Sequence, residues 1–158
     1  MRVGTGYDAH QLVGGPPLVL AGVAIPYEKG LAGHSDGDVA THAIIDALLG
    51  AAALGDIGTH FPSSDPQYEG ISSLLLLARV RDILASHGWQ VQNVDATIVA
   101  EQPRLAPHIQ RMRQTIGRTL GLSVEQVSIK ATTTDGMGFT GRGDGIAAQA
   151  VACIEPAK

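Results

Sequence analysis

Cysteine is nearly absent: Cys153 is the only one in 158 residues. An intrachain disulfide is therefore excluded, and so is a zinc site built on cysteine thiolates. A lone thiol implies a reducing, cytoplasmic setting. Aromatic residues are scarce as well, with one Trp, three Tyr and two Phe, so the core has to be assembled from Leu, Ile, Val and Ala. Basic residues are in the minority, 11 against 15 acidic ones, for a net charge of −4 with six histidines counted neutral. That balance argues against nucleic acid or an anionic membrane as partner, because both attract a basic surface. A local basic pocket for phosphate remains compatible with it. No apolar run is long enough to span a bilayer, since the longest, Ala43 to Leu54, is interrupted by Asp46. The stretch from Met1 to Asp8 has no apolar h-region, and no secretory signal is expected.

What is present suits one globular domain. Hydrophobic residues make up 44% of the chain, enough for a substantial core. No repeat, low-complexity linker or charge block divides residues 1–158, so a single continuous domain is expected. Extended segments are read at Arg2–Leu12, Leu18–Ile25, Val91–Glu101, Val127–Thr134 and Ile146–Ile154. Helical spacing of apolar residues marks Asp38–Leu54, Ser72–His87 and Ala106–Leu120, with Gly88 and Gly121 as stops and Ser35 or Asp36 placed to cap the first. Ser123 to Gln126 resembles a capping box. Gly14-Gly15-Pro16-Pro17, Gly30–Gly37, Gly55–Gly70 and Gly136–Gly145 read as turns or loops. Strands and helices mix without strict βαβ alternation. The expected class is α+β, a ferredoxin-like α/β sandwich with a mixed sheet packed on helices.

Five stretches carry chemistry. Asp8-Ala9-His10 lies in a strand, where residues i and i+2 share a face, so both side chains can hold one ion. A third ligand from elsewhere would complete the three-ligand set of a catalytic zinc site. Alone, the pair also fits a polar strand end. Gly33-His34-Ser35-Asp36-Gly37-Asp38-Val39-Ala40-Thr41-His42 sets two His and two Asp in a loop and the helix it opens. A loop entering a helix N-terminus is a ready anion site. Asp36 and Asp38 also fit plain capping. Asp46, four residues after His42, is placed to orient its imidazole.

Leu54 to Pro66 has glycines, Gly55 and Gly58, that allow a ligand close to the backbone; read alone, it is an ordinary surface loop. Lys130 to Gly143 joins the hydroxyls of Thr132, Thr133 and Thr134 to Asp135, which suits a hard cation, and to Arg142, a phosphate fork. It also fits a flexible connection with threonines chosen for strand propensity. Ala100 to His108 is a strand-to-helix loop whose backbone groups can read a base edge.

Taken together, these stretches resemble one family, 2-C-methyl-D-erythritol 2,4-cyclodiphosphate synthase. The resemblance rests on Gly6-Tyr7-Asp8-Ala9-His10, on Gly33 to His42, on Leu54 to Pro62, and on Lys130 to Thr134 with Gly138 to Arg142, in the family's order and spacing over essentially the whole chain. It implies conversion of 4-diphosphocytidyl-2-C-methyl-D-erythritol 2-phosphate to the cyclic diphosphate and CMP, a step of the non-mevalonate isoprenoid pathway. It also implies a homotrimer with an active site at each subunit boundary and an apolar cavity on the axis.

By the same resemblance, Asp8, His10 and His42 hold zinc. Asp135 meets a second ion, Mg²⁺ or Mn²⁺, which bridges the substrate phosphates. His34 and Thr133 stabilise the transition state, and Ser35 holds phosphate. Asp56, Ile57, Gly58 and the stretch from Phe61 to Asp65 hold the methylerythritol part. Ala100 to Ala106, including Arg104 and Leu105, holds the cytidine together with Ala131, Thr132 and Thr133. Thr134, Phe139 and Arg142 complete the substrate or axial-cavity contacts. This chain has Asp135 where the family commonly has Glu, Ser63 where many members have Asp, and Arg104 where many have Lys. None of these departures touches the zinc ligands. On the residues alone two other readings stay open. One is a zinc hydrolase with Asp56 or Asp36 as base, and the other a trimeric isoprenoid-binding module with a structural zinc.

Overall fold

A computed structural model describes residues 1–158. Two long strands, β1 (Arg2–Val13) and β7 (Gly145–Pro156), run antiparallel through most of their length. β5 (Trp89–Val99) lies antiparallel on the other side of β7, and β6 (Val127–Thr132) adds parallel to β5. A two-residue strand, β4 (Gly30–Leu31), pairs with the far edge of β1, giving the order β4-β1-β7-β5-β6. The expected segment Leu18–Ile25 is two strands, β2 (Leu18–Leu20) and β3 (Val23–Ile25), forming a separate hairpin. Ala21 and Gly22 both take positive φ at its tip, the geometry of a tight two-residue hairpin turn.

Helix α1 (Val39–Ala51) packs on β1, β7 and β5, and α3 (Ser73–Ser86) lies against it. α4 (Ile109–Leu120) covers β6 and ends on Gly121 in the left-handed region, as expected. The predicted loops contain short helical turns, α2 (Ile57–His60) and α5 (Gly138–Gly141). The fold is thus α+β, a mixed sheet packed on helices in a ferredoxin-like sandwich. No helix is long and apolar enough to cross a membrane.

α1 starts at Val39, and its N-cap is Asp38, not Ser35 or Asp36. The Asp38 carboxylate is fully buried and accepts from the Thr41 N–H and hydroxyl at 3.0 and 2.7 Å. It also accepts from the Ala21 and Gly22 N–H groups at 2.8 and 2.7 Å. One side chain therefore caps the helix and fastens the β2–β3 turn to it. Asp36 is used instead by Ser73, whose N–H and hydroxyl both donate to it. α1 is apolar on nearly all sides because the sheet covers one face and α3 another.

The approach of α1 to β1 is unusually close, and glycine makes it possible. Along β1, Gly4, Gly6, Asp8 and His10 share the helix-facing side. A Cβ on Gly6 would lie 2.0 Å from the Ala43 carbonyl oxygen, and one on Gly4 would lie 2.1 Å from that of Ala47. Ala43, Ala47 and Ala51 recur every four residues and so form a small-residue row along the helix. Backbone meets backbone along this seam, and the next residues out on each element, Asp8 and His10 on β1 and His42 on α1, are pressed together beyond it.

Gly6→Ala is expected to destabilise the fold by about 3 kcal/mol in urea denaturation, since neither backbone can yield locally. Gly14→Ala, where an added Cβ meets nothing within 4 Å, is expected to change stability by less than about 0.5 kcal/mol. Equal effects of the two would contradict the seam.

Candidate metal centre and flanking clefts

Asp8 and His10 leave β1 on the helix side, and His42 leaves the first turn of α1 toward them. His10 Nε2 lies 2.9 Å from Asp8 Oδ2, His42 Nδ1 lies 3.0 Å from the same oxygen, and the two ring nitrogens are 3.2 Å apart. Three ligand-type atoms thus converge as a near-equilateral triangle, in a group with the composition of a metal site. Tetrahedral zinc with bonds of about 2.0–2.1 Å sets its ligand atoms about 3.3 Å apart, close to the edges seen. The donor set, two imidazoles and one carboxylate, is that of a catalytic centre with a fourth position open. The residues present fit a divalent ion.

The electrostatics agree. Burial disfavours charge on Asp8, but hydrogen bonds from His10 and His42 outweigh it and hold the carboxyl well below the usual range. The hydrogen bond to Asp8 raises the proton affinity of His10, against its burial, and the Asp8 charge and the Ala32 carbonyl add to the rise. Such a cluster is built around positive charge.

The far side of the His42 ring departs from expectation. Asp46 does not orient it; its carboxylate accepts the Ile57 N–H at 2.8 Å and so anchors α2. His42 Nε2 instead faces two hydroxyls, Ser73 at 2.9 Å and Ser35 at 3.0 Å. Helical spacing marks Asp46, but the close approach of α2 draws it away. Ser73 lies 31 residues on and carries no local signal.

A cleft of about 320 Å³ opens over the triad, lined among others by His34, Ser35, Ile57, Gly58 and Phe61. Ser63, from the expected Phe61–Asp65 stretch, also lines it, as do Tyr68 and Leu76, which the motifs did not single out. The His34 ring donates to the Asp65 carbonyl at 3.2 Å. Asp56 and Asp65 sit beside the cleft as caps, Asp56 accepting from Thr59 and Asp65 from Gln67.

A second cleft, about 350 Å³, is lined by every residue from Ala100 to Ala106 together with Ala131, Thr132 and Thr133. It shares no residue with the first. The sheet register aligns Asp8 with Ala148, Ala148 with Ile98 and Ile98 with Ala131. The two sites thus lie three strand spacings of about 4.8 Å apart, or about 14 Å. Ala148 and Ile98 between them are fully buried core.

Thr134 spends its hydroxyl on the Met137 carbonyl at 2.6 Å and on Thr140. Asp135 is exposed, with φ +53°, and its backbone N–H meets the Thr133 hydroxyl. Asp tolerates this left-handed conformation better than most residues. Phe139 borders a third cleft, with Lys29 and His10, while Arg142 is mostly exposed and pairs with Asp144 at 3.0 Å.

His42→Ala is expected to abolish stoichiometric zinc binding, measured by metal analysis after dialysis, while circular dichroism stays near wild type. One zinc retained per chain would contradict the triad.

Comparison with known proteins accords with this geometry. The model of the YgbB family matches residues 1–155. A 2-C-methyl-D-erythritol 2,4-cyclodiphosphate synthase of Syntrophomonas wolfei is 64% identical over 157 residues, covering 99% of this chain and all of that protein. Among solved structures, the bifunctional IspDF of Campylobacter jejuni superposes with a TM-score of 0.95 at 39% identity over 98% of this chain; the chain spans 42% of that longer protein. A 2C-methyl-D-erythritol-2,4-cyclodiphosphate synthase in a CDP-bound form superposes with a TM-score of 0.89 at 33% identity, over 98% of this chain and all of that one. The chain belongs to the YgbB family.

Proposed function

We propose that this chain, as one domain over residues 1–158, is a cyclodiphosphate synthase of the non-mevalonate isoprenoid pathway. It converts 4-diphosphocytidyl-2-C-methyl-D-erythritol 2-phosphate to 2-C-methyl-D-erythritol 2,4-cyclodiphosphate and CMP. The observation that carries the reading is the three-atom convergence of Asp8, His10 and His42 beneath a cleft, in a chain 64% identical to a synthase of that name.

The nucleophile is already on the substrate. An oxygen of the 2-phosphate forms a bond to the β-phosphorus, the bond from that phosphorus to the bridging oxygen breaks, and CMP leaves with the electron pair. No water is consumed and no side chain is modified, so the protein's work is positioning and charge stabilisation. Zinc held by Asp8, His10 and His42 would supply orientation and Lewis-acid polarisation of a phosphoryl oxygen. His34 and Ser35, on the loop entering α1, face the same cleft and are read as holding the phosphates. Ile57, Gly58 and Phe61 line its other side and are read as enclosing the methylerythritol part, with Asp56 and Asp65 fixing the loop that carries them.

The Ala100–Ala106 cleft with Ala131, Thr132 and Thr133 is read as the cytidine site, supported by the CDP found in a related synthase. Arg104 lies at its exposed rim, Thr133 offers a hydroxyl to the transition state, and Asp135 offers a carboxylate to a second ion, Mg²⁺ or Mn²⁺. One substrate has to reach both clefts, yet filled core separates them within a chain. This supports a homotrimer in which the cytidine cleft of one subunit faces the metal cleft of the next. The sheet face away from α1 leaves Val3, Tyr7 and Val151 exposed at 61%, 62% and 40%, an apolar surface suited to self-association. Phe139 and Arg142 are placed with the substrate or the axial cavity. A single unpaired thiol, Cys153, suits the reducing cytoplasm.

Phosphorus NMR of the protein with zinc, Mg²⁺ and the cytidylated substrate is expected to show CMP and the cyclic diphosphate appearing together. Asp135→Ala is expected to give the same products with a weakened response to added Mg²⁺. Release of inorganic phosphate in place of the cyclic product would overturn the synthase reading in favour of a hydrolase.

A further inference from the structure

The His42 ring has two nitrogens, and a metal takes the one without a proton. Nδ1 faces Asp8 and His10, so the ring serves as a ligand only as its Nε2–H tautomer. That choice needs an acceptor at Nε2 that cannot turn round and donate. A serine hydroxyl can do either, so the question is what fixes it.

Ser73 is the first residue of α3 and is fully buried. Its hydroxyl lies 2.5 Å from Asp36 Oδ1, and its own N–H donates to Asp36 Oδ2 at 2.9 Å. The Asp38 N–H donates to Asp36 Oδ1 as well, at 3.1 Å, so the carboxylate is held from both sides. With the single hydroxyl hydrogen committed to Asp36, the Ser73 oxygen is left to accept, and His42 Nε2 stands 2.9 Å from it. Ser35 Oγ also approaches Nε2, at 3.0 Å, but this is its one side-chain partner, so it follows the ring and does not dictate to it.

We infer that Asp36 and Ser73 form a relay that locks His42 as the Nε2–H tautomer and so presents Nδ1 to the ion. They are positioning residues for the metal ligand. Neither belongs to the triad, and neither lines the cleft above it. The relay ties the metal centre to the start of α3 and to the loop before α1, two segments joined by no other side chain of the triad. It rests on the metal site proposed above, and the hydrogen bond at Nε2 can be read apart from the affinity for the ion.

The test uses histidine-labelled, zinc-loaded protein, with the His42 signals identified by their loss in His42→Gln. With Nδ1 on the ion, the Nε2 proton reports the relay, and in wild type it is expected at low field and slow to exchange with water. Ser73→Ala and Asp36→Asn are each expected to move it upfield and speed its exchange. Zinc affinity, measured by competition with a chromophoric chelator, is expected to fall about 10- to 100-fold in both variants. Circular dichroism identifies a variant that has not folded, and Asp36→Asn, which removes charge but little volume, then decides alone. A wild-type Nε2 proton signal, or wild-type zinc affinity, in the folded variants would overturn the relay while leaving the metal site standing. Wild-type protein that binds no zinc would overturn the metal site itself.

Discussion

Everything functional in this molecule depends on two backbones meeting without side chains between them. Gly4 and Gly6 remove the obstruction from β1, and the alanine row of α1 removes it from the helix. A methyl group on Gly6 would overlap the Ala43 carbonyl, and relief would require the helix to lift off the sheet. Such a lift would separate His42 from Asp8 and His10, whose ligand atoms now stand 2.9–3.2 Å apart. Close packing and the geometry of the candidate metal centre are one constraint here, because the strand and helix that supply its three donor atoms are rigid elements seated on each other rather than loops.

The arrangement of charge follows from the same contact. Three electron-rich atoms face one another in a part-buried site, a costly arrangement without a cation among them. Around this point the chain places short helical turns and glycine loops, and their polar side chains are mostly occupied in holding the loops. Asp56 and Asp65 cap turns, Asp46 anchors α2, and Asp38 caps α1 while fastening a hairpin. The acidic residues near the site therefore act largely as scaffold. That suits a reaction whose nucleophile belongs to the substrate and which asks no carboxylate to act as a base.

Much of this was legible in the sequence, and the reasons differ by element. Asp8 and His10 were readable because strand periodicity puts i and i+2 on one face. The long strands and three main helices were readable from apolar spacing, and Gly121 from its role as a helix stop. The capping box at Ser123 was readable too, and Gln126 does accept the Ser123 N–H. What escaped was set by contacts between distant parts of the chain. Asp38 rather than Ser35 or Asp36 caps α1 because the β2–β3 turn supplies two more donors to it. Helical spacing favoured Asp46 as the partner of His42, yet the ring meets Ser73 from a different helix. Leu18–Ile25 read as one strand because Ala21, a non-glycine residue at positive φ, hides the turn. Gly6 was part of a motif and Gly4 of none, and neither revealed the backbone-to-backbone contact with α1 that they permit.

The central claim is that Asp8, His10 and His42 bind an ion with a position left open for a phosphoryl oxygen. X-ray absorption at the zinc edge tests this directly, on the zinc-loaded protein before and after adding the cytidylated substrate or CDP. The account predicts nitrogen and oxygen ligands only, two of them imidazole, and a phosphorus shell that appears when the nucleotide is added. A fourth protein ligand on the metal, or a zinc environment unchanged by the nucleotide, would contradict it.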